Sequence, residues 1–271
     1  MSQRNCLILG SGRSGTSMAA GILAHAGYFM GDELWPADGG NPKGYFEDRE
    51  VNNINDELIA PVAPKTPPSG LRKLLLGDIP ILGHYQHWVA VLRPSVSIAC
   101  PPAMSERIAA VTERRPFCFK DPRFSYTLSA WRPYIGETLL LCVFRDPSVT
   151  ASSMVRECKR ADHMRGAGVD ERWALKVWEA MYRYILDVHY RQGGDWLFLH
   201  YDQMLDHSMD EELERRLGAG IDREFAVAEL NRSRPDAAVP RRMARLYERL
   251  CALARYDPER GATTQSVAAF R

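Results

Sequence analysis

Residues 6–17 read Cys6-Leu-Ile-Leu-Gly-Ser-Gly-Arg-Ser-Gly-Thr-Ser17. Cys6 to Leu9 is a short apolar run, and Gly10 breaks it. From Thr16 to His25 the apolar residues Met18, Ile22 and Leu23 recur at helical spacing. The segment is therefore strand, glycine-rich loop, helix. Backbone N–H groups point into such a loop, and the dipole of the following helix favours an anion there. A tight strand–helix turn with no ligand is the plain alternative. The density of Gly, Ser and Arg in the loop argues against it.

Working outward, three more strand-like runs follow. Phe117 to Lys120 is stopped by Asp121-Pro122. Thr138 to Phe144 is apolar on both faces, as a central strand of a parallel sheet would be, and Arg145-Asp-Pro147 ends it. Trp196 to His200 is the last. Between and after them Ser148 to Lys159, Trp173 to Tyr190, Met209 to Leu217 and Arg241 to Ala254 read as helices. Strands alternating with helices predict an α/β fold, a parallel sheet flanked by helices, as one domain over 1–271. Pro61 to Gly70, with four prolines, and Ser95 to Pro102 break the alternation. An inserted loop or lid covering a site is expected near 61–102 and a loose tail near 261–271.

Composition excludes several classes. The chain has 271 residues, of which 45% are hydrophobic, and a formal net charge of +1. Disorder and a fibrous fold are excluded by that mixture, and 35 basic against 34 acidic residues offer no nucleic-acid footprint. No run approaches the length of a membrane span, and no secretory leader is legible after Arg4. Only Lys43, Lys65, Lys73, Lys120, Lys159 and Lys176 are lysines, so the basic side is mostly Arg. Arg grips phosphate and sulfate bidentately, although genome base composition also explains such a bias. The six cysteines show no metal spacing and read as reduced, mostly buried thiols of a cytoplasmic protein.

Three ligand readings compete for the loop. Gly10-x-Gly12-x-x-Gly15 meets the dinucleotide fingerprint, which also wants an acid about 20 residues on at a strand end. Asp32 and Glu33 stand near that distance, but Tyr28-Phe-Met-Gly31 is a poor strand. Gly10-x-x-x-x-Gly15 begins a P-loop, yet Thr16 replaces the Lys that would hold the β/γ-phosphates. The third reading fits the Arg. Gly12-Arg-Ser-Gly-Thr-Ser17 resembles the 5′-phosphosulfate loop of the bacterial and Golgi sulfotransferases, whose donor is 3′-phosphoadenosine 5′-phosphosulfate (PAPS). Arg145, ending a strand, and Ser153, eight residues later on the next helix, resemble the family's 3′-phosphate pair. A strand-end Arg and a first-turn hydroxyl converge sensibly on one dianion. Asn41-Pro-Lys-Gly-Tyr-Phe-Glu47, Phe119-Lys-Asp-Pro-Arg123, Trp178, Tyr201-Asp-Gln-Met-Leu205 and Arg232-Ser-Arg234 extend the likeness along most of the chain.

The resemblance implies a P-loop-like sulfotransferase fold and transfer of a sulfuryl group to a hydroxyl or amine. It implies Gly12, Arg13, Ser14, Gly15, Thr16 and Ser17 at the 5′ side, and Arg145 and Ser153 at the 3′-phosphate. Tyr201 would lie against the adenine, and Arg232 or Arg234 could add a cation. Arg13 and Lys120 would neutralise charge developing on the leaving group. The cytosolic branch's catalytic His is absent, since Pro122 and Arg123 occupy that region. Glu47 is the first choice of general base, with Glu33, Asp48 and His84 as alternates. The structural alternatives are a helix-start carboxylate for Glu47, an Asp121 partner for Lys120 and an Asp146 partner for Arg145. No metal is expected. The partner is a small-molecule acceptor, and a homo-oligomer is compatible with the sequence. An NAD-linked oxidoreductase, with Asp32 or Glu33 on the ribose, and a non-catalytic phosphoadenosine-binding module are the competing functions.

Overall fold

The computed structural model describes residues 3–65, 69–70, 79–226 and 239–259. Four parallel strands form the sheet: β1 (Cys6–Leu9), β2 (Cys118–Lys120), β3 (Leu139–Phe144) and β4 (Asp195–His200). Their order is β2-β1-β3-β4. Register pairs Cys6 with Cys118 on one side and with Leu139 on the other. The chain leaves β1 for one neighbour and later returns to the opposite one. The connections that leave the carboxyl ends of β1 and β3 therefore run in opposite directions and leave a crevice above them, where open α/β sheets bind ligands.

Among the described residues the α-helices are α1 (Thr16–His25), α2 (Arg49–Ile59), α3 (Pro102–Val111), α4 (Phe124–Ile135), α5 (Pro147–Arg160), α6 (Glu171–Tyr184), α7 (Tyr201–Leu205), α8 (Asp210–Leu217) and α9 (Arg241–Ala254). Successive strand residues face opposite sides. Leu7, Leu9, Phe119, Leu140, Cys142 and Phe144 pack with Trp131, Trp178 and Leu250. Cys6, Ile8, Cys118, Leu141 and Val143 pack with Ala19, Leu23 and Leu213 on the other face. Both faces are covered, which is why β3 reads as an unbroken apolar run.

Sequence expectations for the four strands hold to within a residue or two, and those for α1 and α9 hold at both ends. The segment predicted as one helix over Trp173 to Tyr190 starts earlier, because the Asp170 side chain caps it by accepting from the Trp173 N–H. It also changes winding at Ile185–His189, a π turn, before a 3-10 turn at Tyr190–Gln192. Helices α2, α3 and α4 were not legible. In α2 the buried face carries Asn52, Asn55 and Asp56, so its apolar period is broken. In α4 Pro133 lies inside the helix. The tail near 261–271 and parts of the 61–102 segment lie outside the described residues. All six cysteines are free thiols, and only Cys100 is not buried.

Asn55 joins α2 to α4 and β2. Its amide oxygen accepts from Thr127 Oγ1 at 2.7 Å and Trp131 Nε1 at 2.8 Å, while its nitrogen donates to Asp121 Oδ2 at 3.0 Å. The residue is fully buried. Removing such a hub leaves several polar groups dry and unpaired. Asn55→Ala is expected to lower unfolding free energy by about 2–3 kcal/mol, read from urea midpoints at unchanged m-value.

Candidate active site

The loop after β1 is clamped from behind. Gly10, at φ +134°, passes so close to β3 that a Cβ would lie 2.1 Å from the Val143 carbonyl oxygen. The Tyr182 hydroxyl from α6 accepts from the Ser11 N–H at 3.1 Å and lies 2.8 Å from Val143 O and 3.0 Å from Ser14 Oγ. Gly10 N–H donates to Ser125 Oγ at 3.2 Å. Helix α1 then starts at Gly15 with no side chain capping its first turn. Helices α2, α5 and α6 are capped by Asp48, Asp146 and Asp170. The α1 terminus thus presents backbone N–H groups and the positive end of its dipole to the cleft.

Arg13 is held in the left-handed region, at φ 70°. That conformation costs a non-glycine residue on the order of 1–3 kcal/mol and persists where the surroundings enforce it. Here the guanidinium is fixed at several points. Its Nε donates to Ser153 Oγ at 3.3 Å, Nη2 to Gly40 O at 3.0 Å and Nη1 to Asn41 Oδ1 at 3.4 Å. Glu157 Oε2 stands 3.7 Å from Nη1. The two motifs on β1 and β3 are thereby brought into contact through Arg13 and Ser153.

Arg145 leaves the end of β3 and lies over the Tyr201 ring, 4.0 Å from its centroid. Trp178 is fully buried and donates from Nε1 to the Arg145 carbonyl at 3.2 Å. The Asp146 side chain caps α5, accepting from the Ser148 and Val149 N–H groups. Burial pulls the Arg145 pKa below its ordinary value. A bound anion would offset the cost of that desolvation.

At the end of β2, Lys120 is 2% exposed. Its Nζ donates to Ser17 Oγ at 3.1 Å and forms a short ion pair with Glu47 Oε1. Asp121, the alternative partner of Lys120, is instead taken by Arg123, which donates to its carboxylate and to Asp56 Oδ1. Asn52 and Asn55 also donate to Asp121. Burial raises the Asp121 pKa, and the Arg123 charge offsets this only in part. Burial also acts on Asp56, but hydrogen bonding from His87 and the Arg123 charge outweigh it and hold that carboxyl below its ordinary value.

The alternate bases fall elsewhere. Asp48 is the α2 cap, accepting from the Val51 N–H at 3.0 Å, so the helix-start role belongs to it and not to Glu47. Glu33 is 69% exposed and pairs with Arg49. His84 is exposed and lies against Tyr85. Asp32, 88% exposed, faces Arg114. Neither Asp32 nor Glu33 lines the cleft, so the ribose-binding acid of the NAD reading has no counterpart at either position. Arg232 and Arg234 lie outside the described residues.

One cleft of about 880 Å3 unites the rest. Gly12, Arg13, Gly15, Thr16, Ser17, Glu47, Lys120, Arg145, Ser153 and Tyr201 all line it, while Ser14 is buried behind. Sequence reasoning missed Asp38 and the α5 residues Arg156, Glu157 and Arg160, which also line it, and gave no site role to Asn41 and Tyr45 of the 41–47 motif. Tyr45 donates to Asp38 Oδ1 at 2.8 Å, and Arg160 to Asp38 Oδ2 at 2.8 Å, fastening the 38–45 loop to α5. The signal was present: Ser153, Arg156, Glu157 and Arg160 recur at helical spacing after Arg145. Among the described residues no group of three His, Cys, Asp or Glu is placed to hold a metal, and no helix is long and apolar enough to cross a membrane.

No family model matches the sequence, and no curated protein matches it. Among solved structures, the sulfotransferase domain of the Synechococcus PCC 7002 olefin synthase is 16% identical, covering 95% of this chain and 98% of its own, with a TM-score of 0.50. The sulfotransferase domain from the curacin biosynthetic pathway is 13% identical, covering 94% and 99%, with a TM-score of 0.48. The first likeness establishes the fold: an α/β sulfotransferase fold, as the loop motifs implied.

His200 lies behind Arg145. Its Nδ1 accepts from the Asp202 N–H at 3.1 Å, and Nε2 lies 3.0 Å from the Tyr247 hydroxyl. Burial, reinforced by the Arg145 charge, pushes its pKa down to about 3. The folded pKa is below the unfolded one, so the unfolded chain binds the proton more readily. The neutral ring's contribution is complete above the ordinary histidine pKa of about 6.5 and is lost as pH falls toward 3, by up to about 1.4 kcal/mol per pH unit. His200→Gln is expected to flatten the decline of stability between pH 6.5 and 4, measured by urea unfolding.

Proposed function

We propose that this protein is a PAPS-dependent sulfotransferase that uses Glu47 as general base. The observation that carries the reading is the contact of Arg13 with Ser153, which joins two anion-binding segments 140 residues apart in one cleft with Lys120 and Glu47. The volume of that cleft suits a nucleotide with a second small molecule beside it. The chemistry of its lining suits a donor with phosphate at one end and phosphosulfate at the other. The uncapped α1 terminus, Thr16, Ser17 and Arg13 would hold the 5′ side, and Arg145 with Ser153 the 3′-phosphate. Tyr201 carries Arg145 on its face, so its part is to support that guanidinium more than to stack an adenine.

At sulfur the reaction makes one bond and breaks one, and one proton passes from the acceptor to Glu47. The acceptor oxygen attacks sulfur as the sulfur–oxygen bond to the phosphate opens on the opposite side, and the acceptor loses its proton. The tasks left to the protein are alignment and charge neutralisation. Lys120, fixed between Ser17 and Glu47, can follow the charge to the leaving oxygen. As it turns toward that oxygen, Glu47 is released to take the acceptor proton. The 79–102 segment carries Tyr85 and Trp88 to the same cleft, the place of an acceptor lid.

Two experiments test the reading. 3′-Phosphoadenosine 5′-phosphate (PAP) at 100 times its dissociation constant should raise stability by about 2.7 kcal/mol, a thermal shift of several degrees. AMP, ATP and NAD should do less, and Arg145→Ala should abolish the PAP shift relative to its own unliganded protein. A shift with NAD or ATP alone overturns the assignment. Glu47→Gln should leave the PAP shift in place and lower kcat by about 10²–10⁴, measured as PAP released from PAPS. Normal turnover by that variant removes Glu47 from the base role.

A further inference from the structure

The walls around the Lys120–Glu47 pair are aromatic. Trp35 is anchored beside Glu47, its backbone N–H donating to the Glu47 carbonyl at 2.9 Å. The Trp35 and Tyr85 rings meet edge to face, 5.4 Å between centroids. Trp88 lies against the phosphate loop, so close that a Cβ on Gly12 would stand 2.7 Å from its ring. All three line the cleft with Lys120 and Glu47.

The polar atoms of these walls are already bonded within the protein. Trp35 Nε1 donates to Asn52 Oδ1 at 2.9 Å, and Asn52 Nδ2 donates to Asp121 Oδ2 at 2.8 Å. Trp88 Nε1 donates to Met164 Sδ at 3.2 Å. Arg123 is engaged by Asp56, Asp121 and the Tyr85 carbonyl. Among the described residues, what remains on this side is the Tyr85 hydroxyl and the imidazole of His163, whose pKa desolvation and then the Arg123 charge lower from its ordinary value. A sugar brings many hydroxyls, and each one desolvated without a partner costs free energy. An anionic acceptor fares no better, since Lys120 and Arg123 are already matched by Glu47, Asp56 and Asp121.

From these walls we infer that the acceptor is an uncharged, flat, mainly apolar molecule of the phenol class, presenting one hydroxyl to Glu47. Its ring lies among Trp35, Tyr85 and Trp88, where offset and edge-to-face contacts are favourable. This inference rests on the donor and base assignments proposed above.

The test titrates PAP-loaded protein with 2-naphthol, following tryptophan fluorescence. Turnover with PAPS is then compared for 2-naphthol, 3-hydroxybenzoate and N-acetylglucosamine. Tyr85 holds Asp56 and Arg123 through its backbone, so Tyr85→Ala removes ring and hydroxyl and leaves those bonds in place. Naphthol is expected to quench the fluorescence and to be sulfated in preference to the other two. Tyr85→Ala is expected to raise its KM about tenfold with the PAP thermal shift unchanged. Trp35→Ala serves as a second variant with the same expected direction. Normal PAP stabilisation with no naphthol sulfation, with preference for the sugar or the benzoate, or with unchanged KM in both variants overturns the acceptor inference alone. Failure of PAP to stabilise the protein overturns the donor reading and this inference with it.

Discussion

Two cations buried at the end of β2 set the terms for the cleft. Lys120 and Arg123 are each almost fully out of water, and a charge in that position must be paired. Arg123 meets that demand with Asp56 from α2 and Asp121 from its own strand end. Lys120 meets it with Glu47, from the turn that leads into α2. Helix α2 therefore cannot move independently of the strand end. The same network reaches the 84–89 segment through Tyr85 and His87, which contact Asp56. The glycine loop, Glu47 and the aromatic wall are positioned relative to one another by these buried ion pairs and the Lys120–Ser17 hydrogen bond.

That arrangement gives the cleft two unlike ends. Toward β3 and α5 it offers Arg13, Arg145, Ser153 and an uncapped helix terminus, a surface built for dense negative charge. Toward α2 and the 84–89 segment the charges are mutually satisfied and the rings face inward. The proposed bond exchange at the junction would use both: a charged donor held firmly and a neutral acceptor admitted beside it. Lys120 and Glu47 stand at that junction, touching Ser17 of the loop on one side and Trp35 through the backbone on the other.

Arg13 adds a constraint of its own. Its left-handed backbone is tolerated because its guanidinium is tied to Ser153, Gly40 and Asn41. The loop is thus shaped partly by α5 and partly by the 38–45 segment, which Asp38, Tyr45 and Arg160 fasten to α5. A loop of this kind is preorganised, so less of the binding free energy is lost to ordering it.

What the sequence determined by itself was local and periodic. The apolar strands, the glycine loop opening α1, and the order Arg145 then Ser153 follow from residue type and spacing within a few turns of chain. Residue patterns carry that information because strand and helix geometry repeat on that scale. The tertiary structure alone decided who meets whom. Glu47 and Asp48 are adjacent carboxylates, yet one caps α2 and the other faces Lys120, and only the approach of β2 distinguishes them. Helices α2 and α4 were hidden because their buried faces carry Asn52, Asn55, Asp56 and Pro133, residues that a periodicity argument counts as polar or as breakers. They are tolerated inside because distant partners satisfy them: Asn52 and Asn55 through Asp121, Asp56 through Arg123. Pairing of buried polar groups is a long-range property, and no local window of sequence contains it.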